Sequence, residues 1–111
     1  MQYPALTEAV YYILLSLLEP MHGYGIMQNV EKLSGGRVKL AAGTLYGAIS
    51  NMLEKGWITA LGDGSESIIR DNRGKKEYKI TAEGMNVLKN EILRLTELLE
   101  NGAKILEEQT K

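Results

Sequence analysis

Residues 42–58 read AGTLYGAISNMLEKGWI, and their periodicity sets the class of the fold. Leu45, Ala48, Ile49, Met52 and Leu53 recur at three- and four-residue intervals, which predicts a short amphipathic helix with that face buried. Thr44, Gly47, Ser50, Asn51 and Glu54 take the opposite face, small or polar throughout, with Tyr46 at its edge. A helix this lean on its outer side fits closely against something large, and its dimensions and polarity suit the floor of a DNA major groove. Gly56 stops the helix and Trp57-Ile58-Thr59 opens a strand. Periodicity by itself favours a plainer reading, an ordinary helix-strand unit in a small α+β domain.

Upstream, Leu6, Val10, Ile13, Leu14, Leu17 and Leu18 predict a helix over about residues 7–18, closed by Glu19-Pro20. Tyr11 and Tyr12 widen its apolar surface. Met21-His22-Gly23-Tyr24-Gly25 reads as a turn, with the sole histidine as a turn or capping residue. A second helix over residues 24–33 follows, with Ile26, Met27, Val30 and Leu33 inward, and Ser34-Gly35-Gly36 ends it. Arg37-Val38-Lys39-Leu40 alternates as a short strand would.

Downstream, strands over residues 57–61 and 75–80 bracket two clusters of turn residues and form a hairpin, to which Ile68-Ile69-Arg70 adds rungs. Tyr78 and Ile80 face one side, Glu77 and Lys79 the other, the alternation of a hairpin packed on helices by one face. Thr81 is a favoured N-cap for the last helix, and Glu83 suits the positive end of its dipole. Met85, Leu88, Ile92, Leu95, Leu99 and Leu106 then keep a heptad stripe with Gly102 in its vacant slot, and Leu93, Leu98 and Ile105 add a second row. The helix thus carries more apolar surface than a small core covers, so a second copy of the chain is the simplest partner. Asn101-Gly102 is the expected place for a break or bend.

The 111 residues, 44% hydrophobic, make one domain and leave no room for a separate ligand-binding domain. With no cysteine and one histidine, no thiolate zinc site, disulfide or Ser/His/Asp or Cys/His set can be assembled. Gly35-Gly36 lacks the lysine and hydroxyl of a phosphate-binding loop, and Asp63 and Glu66 sit in a polar turn as solubilising residues. The expectation is no metal, no cofactor and no enzymatic activity. The longest apolar run, over residues 9–18, is too short to span a bilayer, which predicts a cytoplasmic protein without a membrane partner. The net charge of −1 is unequally placed: residues 37–79 hold eight bases against five acids, the remainder five bases against nine acids. Such a chain turns one side to phosphate and the other to water or to itself.

Three ordered stretches resemble the PadR family of winged-helix transcriptional regulators. Gly43-Thr44-Leu45-Tyr46, then Ile49 and Leu53-Glu54-Lys55-Gly56-Trp57-Ile58, look like that family's recognition helix and its exit into the wing. His22-Gly23-Tyr24-Gly25-Ile26 upstream and Lys76-Glu77-Tyr78-Lys79-Ile80-Thr81-Ala82-Glu83-Gly84 downstream match its other two signatures. Many PadR-like sequences carry proline where this chain has Ala42 or Gly47. The resemblance implies an α+β, mainly helical fold: a winged helix-turn-helix with a two-stranded wing over residues 1–80, and a C-terminal dimerisation helix over residues 81–111. It further implies a repressor that binds double-stranded DNA at a pseudo-palindromic operator as a homodimer, relieved by a small hydrophobic or aromatic effector. Thr44, Tyr46, Gly47, Ser50 and Asn51 become the groove contacts, and Tyr24, Arg37, Lys39, Arg70, Arg73, Lys75 and Lys76 the phosphate contacts. Leu6, Val10, Leu14, Leu88, Ile92, Leu95, Leu99 and Leu106 become the dimer interface, and Tyr11, Tyr12, Leu14 and Met85 the effector pocket. The alternative is a winged-helix adaptor that grips another protein without sequence-specific DNA binding.

Overall fold

The computed structural model describes residues 3–61 and 76–110. Helix α1, Glu8–Ser16, starts at Thr7, whose hydroxyl accepts from the Val10 N–H at 3.2 Å. It stops two residues before the expected Leu18, where the Leu17 N–H turns back to the Ile13 and Leu14 carbonyls ahead of Pro20. The residues expected to form a turn instead hold a short strand β1, Met21–His22, and start helix α2, Gly23–Leu33. His22 caps that helix, its Nδ1 accepting from the Gly25 N–H at 3.2 Å. Replacing it with alanine is expected to cost about 1 kcal/mol, while asparagine, which retains an acceptor, stays near wild type. Thermal melts of the two variants check this.

Residues 37–40 form no strand: the Val38 N–H is taken by the Ser34 hydroxyl at 2.9 Å, which leaves the segment irregular. Helix α3, Ala42–Lys55, ends at Gly56 in the left-handed region, φ 79°, and strand β2, Ile58–Leu61, follows. Strand β3, Glu77–Ile80, pairs antiparallel with β2 on one side and β1 on the other, opposing Tyr78 to both Met21 and Ala60. The expected two-stranded wing is therefore built on a three-stranded sheet of order β1-β3-β2. Helix α4, Ala82–Gln109, runs unbroken through Asn101-Gly102.

One core gathers Ile13, Leu14 and Leu17; Ile26 and Val30; Leu45, Ile49 and Met52; Trp57 and Ile58; Tyr78 and Ile80; and Val87 and Leu88, with Met21 of β1 packed against it. Leu33 and Leu53, expected inward, lie exposed at the ends of their helices. Buried Ser16 donates to the Tyr12 carbonyl and accepts from the Asn29 amide, both at 2.9 Å, pinning α1 to α2. The start of α4 is locked where α3 ends. The Thr81 hydroxyl donates to the Gly56 carbonyl at 2.6 Å and accepts from the Gly84 N–H at 3.0 Å, while the Thr81 N–H reaches the Trp57 carbonyl at 3.0 Å. That knot fixes the long helix relative to α3.

Candidate nucleic-acid interface

Helix α3 divides as its periodicity requires. Leu45, Ile49 and Met52 are buried, and Thr44, Gly47, Ser50, Asn51 and Glu54 are exposed along the other side. Among the described residues a side chain added at Gly43 or Gly47 would meet nothing within 4 Å, so packing against them does not require glycine at either position. Ala41 gives α3 no side-chain cap, whereas Thr7, His22 and Thr81 cap α1, α2 and α4. The first amides of α3 therefore remain available to an outside acceptor. Tyr46 stands apart from its neighbours: it is 39% exposed, but its hydroxyl end is turned back over Gly23.

Elsewhere on the surface, Tyr24 at the start of α2 is 61% exposed, and Lys39, Lys55, Lys76 and Lys79 are exposed as well. Lys55 lies over the Trp57 ring, 4.9 Å from its centroid. Arg37, expected on phosphate, is exposed and paired with Glu8 of α1. Arg70, Arg73 and Lys75, along with Asp63, Glu66 and the added rungs at residues 68–70, lie outside the described residues.

A cleft of about 330 Å³ opens between α1 and α4, walled by Leu6, Tyr11, Tyr12 and Leu95 and rimmed by Glu8, Arg37, Glu91 and Arg94. Of the expected effector residues, Tyr11 and Tyr12 line it, their rings 5.7 Å apart and edge-on. Leu14 is fully buried in the core and Met85 packs against that core. The cleft also contains a pair that the sequence reading passed over. Glu91, 2% exposed, accepts from Arg94 Nε at 2.9 Å and Nη2 at 2.6 Å. A carboxylate inside the apolar stripe, three residues before an arginine, was the available signal.

The Arg94 fork, with help from the Leu6 backbone N–H, holds Glu91 below the usual carboxylate range against the opposing effect of burial. A depressed folded value means this pair's stabilisation is fully present above the ordinary carboxyl value of 4.5 and is lost as pH falls through the lower folded value. Wild type is therefore expected to melt above Glu91→Gln at neutral pH, and the two curves to converge in acid. Melting temperature against pH for both proteins checks it.

Beyond Glu91 the long helix emerges from the core. Ile92, Leu95, Leu98, Leu99, Ile105 and Leu106 are 39–71% exposed on one side of it. Leu93, at 70%, is five residues from Leu98 and so lies about 140° away around the helix, which removes it from the second row. Of the expected interface residues, Leu14 and Leu88 are consumed by the chain's own core, Leu6 and Val10 are partly buried against it, and Ile92, Leu95, Leu99 and Leu106 remain uncovered. No helix among the described residues is long and apolar enough to cross a membrane.

The same arrangement of helices and sheet recurs in solved structures. A PadR family transcriptional regulator from Eggerthella lenta DSM 2243 is 25% identical with a TM-score of 0.65, over 88% of this chain and 80% of that one. A PadR family regulator from Clostridium difficile R20291 is 20% identical with a TM-score of 0.63, over 87% and 97% of the two chains. RosR of H. salinarum is 21% identical with a TM-score of 0.64, over 95% and 94%. No curated protein sequence matches the chain. The profile of the transcriptional regulator PadR-like family matches residues 13–90, a span that takes in all three signature stretches from His22 to Gly84. With the winged-helix fold and the family profile agreeing over most of its length, the chain belongs to the PadR-like family of transcriptional regulators.

Proposed function

We propose that the chain is a DNA-binding repressor that grips a pseudo-palindromic operator as a homodimer, one α3 in each of two successive major grooves. The observation that carries the reading is the outer face of α3. Thr44, Gly47, Ser50 and Asn51 are uncovered, short enough to admit a base-pair edge, and include a helix-interior glycine that no internal contact requires. Asn51 is suited to adenine, and Ser50 and Thr44 to either base of a pair. Tyr24, Lys39 and Lys76 supply positioning contacts, with the uncapped amides of α3 beside them. Arg37 is left out of this set because Glu8 already holds it.

Gel shifts with the duplex upstream of the chain's own gene, against a random duplex and across salt, test the reading. Replacing Lys39 and Lys76 with alanine should weaken both duplexes alike and flatten the salt slope by roughly one unit per lysine. Asn51→Ala should chiefly erode the preference for the specific duplex, by about 1–3 kcal/mol of discrimination. Equal losses on both duplexes for every variant, or no binding by wild type, would point instead to the protein-gripping adaptor. Relief by an effector is part of the same proposal. The cleft between α1 and α4, with Tyr11 and Tyr12 as walls, suits a small aromatic molecule.

A further inference from the structure

We infer that Tyr46 is a positioning residue, the spacer that fixes the angle of α3 against α2 by resting its ring on the backbone of Gly23, and that it is not a reader of bases. The inference rests on the DNA-binding reading above. A Cβ placed on Gly23 would stand 2.1 Å from Tyr46 Oη, 2.7 Å from Cζ and 3.2 Å from Cε1, so the far edge of the ring occupies the space that any other residue at position 23 would need. Gly23 is itself buried, and as the first residue of α2 it adjoins exposed Tyr24. Tyr78 of the central strand lies on the same junction. Burial, and secondarily the nearness of Tyr46, push its phenol above the usual tyrosine range.

The far end of the Tyr46 ring therefore packs against α2 inside the helix-turn-helix. The ring that separates the two helices also sets the distance from Tyr24, at the start of α2, to Ser50 and Asn51, one turn further along α3. Groove readers tolerate only small errors in that spacing, since base-edge contacts demand both distance and direction.

A double-mutant cycle tests the contact on folding alone. Gly23→Ala should lower the melting temperature in wild type, where the new methyl displaces the ring, and do nothing or slightly raise it in a Tyr46→Ala background. If Gly23→Ala fails to fold by itself, recovery of folding in the double variant carries the same meaning. The aiming role is read on a fluorescein-labelled duplex from upstream of the chain's own gene, with circular dichroism confirming the fold of each protein. Tyr46→Phe should bind within about twofold of wild type, while Tyr46→Ala and Gly23→Ala each lose about tenfold and the double variant loses no more than either. Losses that add in the cycle, or Tyr46→Phe falling as far as Tyr46→Ala, would overturn the inference. A wild-type protein that binds no duplex refutes the DNA-binding reading, and the thermal cycle still judges the Gly23–Tyr46 contact on its own.

Discussion

Gly84→Ala should lower the melting temperature by about 10 °C or more, a loss of about 3 kcal/mol, although the same exchange stabilises most helices. A glycine inside a helix costs ~1 kcal/mol relative to alanine through backbone entropy, so the default sign is favourable. At Gly84 the default is reversed by what lies against it. The added carbon would stand 2.1 Å from the Trp57 carbonyl oxygen, 3.0 Å from the Trp57 carbonyl carbon and 2.7 Å from Ile80 Cγ1. Two of these three atoms are backbone, fixed by the Thr81 bonds to Gly56 and Trp57, and cannot swing aside as a long side chain does. The first turn of α4 would have to lift from the end of α3, uncovering Val87 and Leu88. Gly47→Ala supplies the internal control: with open space around it, that variant should gain ~1 kcal/mol of stability while weakening the duplex. Melts of the two proteins side by side decide the matter, and a Gly84→Ala protein as stable as wild type would refute the close approach.

The signature stretches are legible in the sequence as words, and the fold makes them halves of contacts. Gly23 in the first stretch is the seat for Tyr46 in the second, and Gly56 and Trp57 at the end of the second receive Thr81 and Gly84 of the third. Helix positions followed from period and caps, because Thr7, His22 and Thr81 act through neighbours three residues away. The edge strand at Met21–His22 was not legible. Two residues carry no alternation to read, and their pairing partner, β3, lies more than fifty residues downstream. Residues 37–40 misled in the opposite sense: alternation is necessary for a half-buried strand, but a strand also needs a neighbour to pair with, and here the Val38 N–H is taken by the Ser34 hydroxyl instead. For the candidate interface, the bare face of α3 was readable because it needs only periodicity. The pairing of Arg37 with Glu8 was not, since Glu8 stands 29 residues away in the chain.

Aspartates in place of both Leu99 and Leu106 should convert a dimer into a monomer and cost the operator at least ~100-fold in affinity, with the winged core still folded. Glu91 is the last fully buried residue of α4, yet the helix continues for 18 more residues to Gln109. Most helical stability in proteins comes from packing of an amphipathic face, and Gly102 weakens this stretch by ~1 kcal/mol relative to alanine. The arc of Ile92, Leu95, Leu98, Leu99, Ile105 and Leu106 is an amphipathic face that the described residues cover only in part and only at its start, and Leu99 and Leu106 are its most exposed members at 71% and 68%. Because neither touches the core, charging them removes only what the second copy of the proposed homodimer would gain by covering them. Two half-sites joined through one interface bind with the avidity of a linked pair, and a freed monomer keeps only the affinity of a single α3. Sedimentation and the gel shift should therefore fail together in this variant, while its melting transition for the winged domain persists. A variant that still sediments as wild type does, or a monomer that binds the operator undiminished, would detach the long helix from DNA recognition.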